Sequence, residues 1–557
     1  MKKLLPLLII NYSLLINCSA QTTHHTKFWI QFRDKNNSPY SLSNPLEFLS
    51  QRALDRRSHQ QIALAENDIP VNSDYINAVA AKGAVILNKS KWFNAVTVFI
   101  SDTTGAVLDS ILTLPFVNQS KPVARLRKQG EHTRNKLEEP SFTKSTLVTQ
   151  NNDDPVYGES FNQINMLGGI GLHEQGYKGK GMLIAIHDAG FGNADVLAAF
   201  NDLRNENRII ATRNFVYGGD FVYDYSFHGS MVLSTMAGKL PGMLLGTAPD
   251  ASFILMVSED VRSEFPIEED NWVSAAEFSD SAGADVINSS LGYTTFDDSS
   301  LDHSYRNMDG NSTHISIGAE IAASKGILVV SSAGNEGSSP WHYISAPADA
   351  KNILTLGAVD ANGNYASFSS QGPTYDGRVK PDVVAEGQGS IVINPFDSAS
   401  VYAQNGTSFS SPITAGMSAC LWQANRSFTN MEILQAIQQS ASQYSHPDYR
   451  LGYGIPDFSR ANVVLHAIAN GYYDELLNVF PNPFSTQLHL NFYSPRNRQV
   501  NISISDMTGR VVYNQDYSYP KQSYAGINLE IPGLSKGMYI LKVNTVGNSY
   551  YRKLVKE

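Results

Sequence analysis

The chain has 557 residues and a formal net charge of −10 at neutral pH, with 42 Lys and Arg against 52 Asp and Glu. This length allows three or four domains and at least one large hydrophobic core. The acidic balance, without a basic block or interleaved basic and aromatic residues, excludes a nucleic-acid-binding protein. Only 17% of the residues are charged, a composition closer to secreted than to cytosolic proteins.

The first 20 residues are typical of a signal peptide. Lys2 and Lys3 precede an apolar run over residues 4–16, and small residues lead up to Ala20. This order of a basic start, an apolar centre and a small-residue cleavage site directs export. We therefore assign residues 1–20 to a signal peptide and expect an exported protein.

The two cysteines give the mature chain no internal disulfide. Cleavage after Ala20 removes Cys18 and leaves Cys420 alone, so stability has to come from packing or bound ions. An acylated Cys18 is the alternative, but a lipoprotein signal needs a small residue before the cysteine and Asn17 stands there. No later apolar segment approaches the roughly 18 residues that a membrane span needs, so we expect a soluble protein once exported.

Residues 21–128 have the pattern of a small α/β unit, and residues 129–156 that of an exposed, cleavable linker. The linker is polar and has no apolar period. A compact unit followed by such a linker and a larger domain predicts a pro-domain. The predicted strands cover residues 28–32 and 95–100, and the predicted helices cover 46–57 and 73–81.

Residues 157–470 alternate unbroken apolar runs with helical patterns. Strands that are apolar on both faces predict an α/β fold, in which helices cover both faces of a parallel sheet. Ligands of such sheets bind at the carboxyl ends of the strands. The apolar runs lie at residues 182–186, 252–257, 286–291, 327–332 and 353–359, and helical patterns lie at 161–175, 272–281, 315–325 and 408–424.

Four polar residues lie where catalytic groups of such a fold would lie. Asp188 closes a strand, His228 opens a helix, Asn335 follows a strand in a tight loop, and Ser408 begins a helix of small apolar residues. Each alone has an ordinary interpretation as a turn former, a surface or cap histidine, a left-handed turn residue or a helix cap. The order Asp, His, Ser makes a nucleophilic site the stronger interpretation.

These residues stand in stretches that resemble the subtilases, the family of subtilisin-like serine endopeptidases. The resemblance covers more than half of the chain, and it involves six separate stretches in the family's order. They are Ile184–Gly190, His228–Val232, Val286–Gly292, the loop around Asn335, Lys380–Ala385 and Asn405–Ser408.

The resemblance implies a role for each catalytic position. Ser408 is the expected nucleophile, His228 its general base and acid, and Asp188 the carboxylate that orients the imidazole. Asn335 and the backbone amide of Ser408 are the expected oxyanion donors. No metal is implied at this site.

The same resemblance implies a substrate cleft of broad specificity, because backbone pairing gives affinity without much side-chain preference. One wall pairs with an extended peptide, and the other completes the primary specificity pocket. The residues implied are Ser290, Leu291 and Gly292 on the first wall, and Ser332, Ala333 and Gly334 on the second.

Three positions depart from the family pattern without removing a catalytic group. Ala189 stands where Ser or Thr is usual and lacks a hydroxyl that would help to orient Asp188. Phe409 replaces a common Met, so we expect activity to resist mild peroxide. His187 could suggest a metal pair with Asp188, but neighbouring strand residues point to opposite faces, which favours a core or rim histidine.

Residues 474–557 are predicted to form a small antiparallel β-sandwich. The segment resembles the C-terminal sorting domain of type IX secretion cargo in Gram-negative bacteria. That implies the type IX machinery as a partner, and then release or attachment to lipopolysaccharide at the outer surface. A carbohydrate- or protein-binding sandwich is the alternative. The alternating runs lie at residues 488–492, 500–505, 510–513, 527–531, 538–543 and 550–555.

The sequence therefore predicts a secreted endopeptidase, made as a zymogen, that acts on proteins or peptides through an acyl-enzyme. One alternative is a surface adhesin on an inactive scaffold of the same fold. Another is an esterase or ligase that uses the same triad for acyl transfer. This chemistry requires no cofactor. Structural calcium stays open, because the family often carries it but no acidic loop with ligand spacing is visible.

Overall fold

The structure is a computed structural model that describes residues 25–125, 155–469, 475–480, 482–494, 498–519, 523–545 and 548–557. The predicted signal peptide, Cys18 and nearly all of the predicted linker lie outside the described residues. Among the helices of the described ranges, none combines the length and the apolar character that crossing a bilayer demands.

The N-terminal unit is a four-stranded antiparallel sheet with three short helices. The strand order is β2-β3-β1-β4. The predicted helix over 46–57 begins later than expected, because Ser50 accepts the N–H of Ala53 and caps the helix there. The elements are β1 (His25–Phe32), α1 (Gln51–His59), α2 (Ser73–Ala81), β2 (Val85–Ser90), β3 (Ala95–Phe99), α3 (Ala106–Leu112) and β4 (Val117–Arg125).

The central domain is built on a seven-stranded sheet in which every neighbouring pair is parallel. Its first half contains α4 (Phe161–Asn165), α5 (Ile170–Glu174), β5 (Leu183–Asp188), α6 (Asn201–Asn205), β6 (Ile209–Asn214), α7 (His228–Ala237), β7 (Lys239–Leu240), β8 (Leu244–Leu245), β9 (Ser252–Val257) and α8 (Ile267–Ala282). The second half contains β10 (Val286–Ser289), α9 (His314–Ser324), β11 (Leu328–Ser332), β12 (Leu354–Val359), β13 (Val383–Glu386), β14 (Gln388–Asn394), β15 (Asp397–Asn405), α10 (Thr407–Ala424), α11 (Asn430–Ser440) and α12 (Phe458–Ala469).

The sheet order is β13-β12-β11-β10-β5-β9-β6, with an apolar core on each face. Ile184 and Ile186 of β5 pack into the core shared with α7 and α10. Leu183 and Ala185 pack into the core shared with α8 and α9. Burial on both faces explains why these strands are continuous apolar runs, and the prediction of a parallel sheet covered on both sides is confirmed.

Two features of this domain differ from the sequence prediction. The single helix predicted over residues 161–175 is two short helices, α4 and α5, because Gly168 adopts a left-handed φ of 62° between them. The strands β14 and β15 form an antiparallel hairpin that leads into α10, and this hairpin was not predicted from the sequence.

The N-terminal unit docks on α8 through buried charges. Asp280 of α8 forms ion pairs with Arg56 Nη2 at 2.6 Å, Arg57 Nη2 at 2.7 Å and Lys91 Nζ at 3.3 Å. One turn earlier, Glu277 accepts hydrogen bonds from Ser90 Oγ and from the backbone N–H groups of Lys91 and Trp92. The acidic side of α8 is therefore a docking surface rather than a solvated face.

The C-terminal region folds into two antiparallel sheets that share one apolar core, as predicted. Leu488, Leu490, Ile502, Ile504 and Leu541 are fully buried between the sheets. The sheet orders are β16-β17-β20 and β19-β18-β21-β22. The strands are β16 (Glu475–Phe480), β17 (Gln487–Ser494), β18 (Arg498–Asp506), β19 (Val511–Tyr519), β20 (Ser523–Glu530), β21 (Gly537–Thr545) and β22 (Asn548–Lys556).

Candidate active site

The carboxyl end of β5 and the start of α7 bring Asp188 and His228 together. Asp188 is fully buried, and its Oδ1 atom lies 2.8 Å from His228 Nδ1. The same oxygen accepts the backbone N–H of Ala189 at 2.7 Å. The start of α7 packs closely on the loop after β5, since a Cβ on Gly229 would lie 2.4 Å from the carbonyl oxygen of Gly190. This close approach holds the imidazole against the carboxylate.

The surroundings of His228 favour its protonated form. Burial lowers the pKa of His228, but the negative charge and the hydrogen bond of Asp188, together with the charge of Glu259, outweigh burial and raise the pKa above its usual value of 6.5. The bond between Asp188 and Nδ1 orients the ring, so that Nε2 is the nitrogen left for chemistry. The pair can accept a proton and stabilise the imidazolium that results.

Ser408 lies in the first turn of α10, beyond a backbone turn that requires glycine. Gly406 has a φ of 147°, and its N–H donates to the carbonyl of Gly387 at 2.7 Å. The Ser408 hydroxyl donates to the carbonyl of Ser290 at 3.4 Å instead of to the imidazole. The Phe409 ring lies 5.9 Å from the imidazole, centroid to centroid.

Asn335 is fixed by the residue that precedes Ser408. The Oδ1 atom of Asn335 accepts the backbone N–H of Thr407 at 2.9 Å and its hydroxyl at 3.0 Å. The same hydroxyl accepts the N–H of Gly334 at 3.2 Å. With its oxygen held, the amide presents Nδ2 as its donor. Thr407 was not predicted as this anchor, although its place beside Ser408 was a usable signal.

A cleft of about 820 Å³ runs past these residues. Five of the six residues that the resemblance assigned to substrate binding line this cleft. The exception is Ala333, which is fully buried and packs with Ile344 and Ala348. The five are Ser290, Leu291, Gly292, Ser332 and Gly334.

Of the core and rim positions expected for His187, the structure shows the core position, with the side chain fully buried. Its ring lies 5.0 Å from the ring of Trp272 in an edge-on arrangement, and its Nε2 atom lies 3.2 Å from Ser279 Oγ. Burial lowers the pKa of His187 to about 3. This histidine is therefore neutral and faces α8, on the opposite side of the sheet from the cleft.

One group of carboxylates in the described residues has the spacing of a metal site. Oxygens of Glu259, Glu264 and Glu268 lie within 4.8 Å of one another. However, Glu268 already accepts the N–H groups of Phe265 and Asp260, and Glu259 accepts the hydroxyl of Tyr293. These hydrogen bonds involve both oxygens of Glu268 and one oxygen of Glu259.

Comparison with protein families divides the chain into three matches. The profile described as the subtilase family matches residues 179–454. The profile of the peptidase S8 propeptide domain of Bacteroidota matches residues 27–139, and that of a secretion system C-terminal sorting domain matches residues 478–557.

Characterised relatives agree with the central match. The chain is 30% identical over 281 residues to subtilisin DY of Bacillus licheniformis, covering 50% of this chain and 90% of the relative. It is 28% identical over 282 residues to subtilisin E of Bacillus subtilis strain 168, covering 50% of this chain and 65% of that relative. The chain belongs to the subtilase family.

Two solved protease structures are also similar to part of this chain. The prenylagaramide maturation protease PagA is 21% identical with a TM-score of 0.42, covering 54% of this chain and 98% of that one. The MycP3 protease from the type VII (ESX-3) secretion system is 19% identical with a TM-score of 0.45, covering 57% of this chain and 91% of that one.

These findings define a subtilisin-like serine peptidase with an α/β catalytic domain, a propeptide domain and a type IX sorting domain. The two flanking domains indicate secretion from a Bacteroidota cell.

Proposed function

We propose that the protein is a secreted endopeptidase that hydrolyses peptide bonds by way of an acyl-enzyme on Ser408. The observation that carries this proposal is the 2.8 Å contact between His228 Nδ1 and Asp188 Oδ1, because His228 lines one cleft with Ser408 and Asn335. A neutral hydroxyl attacks an amide slowly, so a base at this position is what the reaction needs.

The proton moves twice in this scheme. His228 Nε2 takes the proton of Ser408 as its oxygen attacks the peptide carbonyl, and the imidazolium then donates that proton to the departing amine. Asp188 stays ionised throughout and stabilises the imidazolium. Water repeats the cycle on the ester and frees Ser408.

The oxyanion of each tetrahedral intermediate would be bound by two donors. One is Asn335 Nδ2, whose amide is oriented by the contacts of Oδ1 with Thr407. The other is the backbone N–H of Ser408, at the start of α10. Donors fixed before the reaction stabilise the developing charge without reorganisation.

The pro-domain would assist folding and block the cleft until the linker over residues 129–156 is cut. In support, Val123 and Ala124 near the end of β4 pack against Phe265 and Ile267 beside the cleft. The chain therefore leaves the pro-domain close to the site that it would block.

The sorting domain would carry the enzyme across the outer membrane of a Gram-negative cell. Its removal would then release the peptidase or leave it attached to lipopolysaccharide. Fractionation of producing cells into medium and outer membrane, with blotting for the catalytic domain, distinguishes these two destinations.

The experiment that tests the activity compares purified mature protein with Ser408→Ala on casein and on ester substrates. We expect casein cleavage to fall by about 10⁶-fold in the variant, the scale of loss known from subtilisin itself. A serine-reactive phosphonate should label Ser408 of the wild type. Ser445→Ala, which changes an exposed serine, is the matched control.

The outcomes separate the alternatives. Ester hydrolysis without casein cleavage would favour an esterase or ligase. Neither activity, with the phosphonate also failing to react, would favour a binding protein on an inactive scaffold.

A further inference from the structure

The turn that leads into α7 has a backbone conformation that is rare for its sequence. Tyr225 has a left-handed φ of 73°, and the N–H of Ser226 donates to the carbonyl of Asp224 at 2.9 Å. A hydrogen bond between residues two apart, around a centre with a positive φ, defines a γ-turn of the strained kind. A bulky side chain disfavours such a φ. The turn therefore persists because its surroundings hold it.

This turn lies between α7 and the loop after β5. The carbonyl of Ser226 accepts the N–H of Gly192 in that loop at 2.8 Å, and the Ser226 hydroxyl accepts the N–H of His228 at 3.1 Å. A Cβ on Gly190 would lie 2.4 Å from the carbonyl oxygen of Asp224. Through these close contacts, the turn fixes the start of α7 against the loop that follows the catalytic carboxylate.

The side chain of Tyr225 is held by a stack that ends on the loop after β9. Its ring stacks on the ring of Tyr217, with centroids 4.3 Å apart and an angle of 17° between the planes. The Arg262 guanidinium lies 4.7 Å from the centroid of the Tyr217 ring. Asp260 accepts the Tyr217 hydroxyl at 3.2 Å and two N–H groups of the Arg262 side chain at 2.9 Å each. Ring stacking and cation–π attraction stabilise this arrangement.

Core packing does not explain the stack. Tyr217 is 37% exposed and Tyr225 is 39% exposed, so burial of their rings stabilises the fold less than burial of a core ring does. A tyrosine in a strained conformation stands only three residues before His228. Backbone strain of this kind, next to a reacting group, indicates a role in the site.

We propose that Tyr225 and Tyr217 are positioning residues for the catalytic histidine. Their stack holds the γ-turn, and the turn holds Ser226 at the start of α7, so that the imidazole of His228 stays against Asp188. The two tyrosines act through Ser226 and not by contact with the reacting atoms. This inference rests on the proposed peptidase function. A small displacement of a catalytic group lowers the rate of the chemical step more than the affinity for substrate.

The test removes the stack in two ways, in the enzyme processed from the full chain. Tyr225→Gly removes one ring and relaxes the turn, because glycine adopts a positive φ without strain. Tyr217→Ala removes the partner ring, and it carries the same test if Tyr225→Gly does not fold. Tyr225→Phe keeps the ring and is the conservative rescue. Tyr444→Ala is the matched control, since it removes a tyrosine that is 44% exposed from a ring contact with Tyr453.

The expected kinetic effect is a loss of turnover rather than of affinity. Tyr225→Gly and Tyr217→Ala should lower kcat on a peptide by about tenfold and leave KM within about twofold. Tyr225→Phe should restore kcat to within about twofold of the wild type, and Tyr444→Ala should not change it. The melting temperature of Tyr225→Gly should fall by less than about 3 °C, since relief of the strained φ offsets part of the lost stacking.

A second readout reports on His228 whether or not the chain cleaves peptides. Burial lowers the pKa of His228, and the charges of Asp188 and Glu259 raise it, so a looser contact with Asp188 lowers this pKa. NMR titration of ¹⁵N-labelled histidines in the Ser408→Ala zymogen measures it, with His228→Gln to assign the signal. We expect the pKa to fall when either stack variant is added and to stay in place in the control.

Unchanged kcat and an unchanged pKa of His228 in both stack variants would overturn the positioning role and leave the peptidase function standing. A loss of kcat that follows the melting temperature, with the pKa unchanged, would also overturn the positioning role. A fall in the pKa of His228 in the Ser408→Ala zymogen, without cleavage of peptides by the wild type, would uphold the positioning role and refute the proposed function.

Discussion

Asp280 and Asp188 are both buried aspartates with basic partners, and the two regions use them differently. Asp280, on the docking surface of α8, is held by Arg56, Arg57 and Lys91 of the pro-domain. Burial raises the pKa of Asp280, but these three cations outweigh it and lower the pKa to about 2. Asp188, at the end of β5, has His228 as its partner, and His228 lines the cleft.

The difference lies in whether the partner can give up its charge. Arginine and lysine stay protonated at every physiological pH, so the contacts of Asp280 can only hold two domains together. The proton of an imidazole with a pKa near neutrality can move, so the contact of Asp188 can take part in a reaction. Five predictions test this contrast, from the largest expected effect to the smallest.

Replacing Asp188 by Asn should reduce kcat/KM on peptides by about 10⁴-fold, because an amide no longer stabilises the required tautomer and the imidazolium. The melting temperature should change little, since the shape of the side chain is retained. Steady-state kinetics and calorimetry measure the two quantities. Asp280→Asn in the mature enzyme is the control and should keep full activity. Comparable losses of kcat/KM in Asp188→Asn and Asp280→Asn would contradict the distinction between a reactive contact and a structural one.

Replacing Asp280 by Asn should weaken docking of the pro-domain by about 3 kcal/mol, because three cations then face one another without a carboxylate. The measurement is urea unfolding of the full-length zymogen in the Ser408→Ala background, where the pro-domain stays attached. Asp376→Asn, which breaks an exposed pair with Arg378, is the matched control and should cost less than 1 kcal/mol.

The pH dependence of that docking follows from the depressed pKa of Asp280, about 2. A carboxyl whose pKa is lowered on folding contributes stability above its unfolded pKa of about 3.9 and loses it as the pH falls toward 2. The contribution of Asp280 to the free energy of docking should therefore be constant from pH 5 to 8. A midpoint of release near pH 6 would contradict this account.

The activity of the wild type should rise with pH along a limb whose midpoint lies above 6.5, because the base must be neutral and the pKa of His228 is raised. Glu259→Gln should move this midpoint down by a few tenths of a pH unit, since it removes one of the charges that raise the pKa. The pH profile of kcat/KM measures both. Glu336→Gln should leave the midpoint in place, and an equal shift in that variant would assign the effect to general cleft charge.

Ala189→Ser should have the smallest effect. Asp188 Oδ2 is buried and has no hydrogen-bond partner among the described groups, so an added hydroxyl could supply a donor. We expect a stability gain of about 1 kcal/mol and a change in kcat of less than about threefold. Ala189→Gly, which adds no donor, is the comparison in thermal unfolding. A loss of stability in the serine variant would show that the buried site has no room for the hydroxyl.

Much of the fold could be predicted from the sequence, because parallel strands are marked by continuous apolar runs. The run at 252–257 coincides with β9, and the helix predicted to begin at Ser408 begins one residue earlier, at Thr407. The break between α4 and α5 was missed, because an apolar period continues across Gly168 although its backbone cannot continue the helix. The candidate site was predicted from the family resemblance of these stretches, in which Asp188 and Asn335 follow apolar runs and His228 and Ser408 begin helices.

The sequence alone determined the layered sheet, the order of the three catalytic candidates and the three-part organisation of the chain. Only the tertiary structure decided that Ala333 turns into the core, that Glu259 and Glu264 face the cleft, and that the carboxylates of α8 are buried under pro-domain cations. The physical reason is the distance along the chain over which each effect acts. Periodicity and turn chemistry act between near neighbours, whereas the direction and charge environment of a side chain depend on segments more than 100 residues away, as Arg56 and Asp280 are.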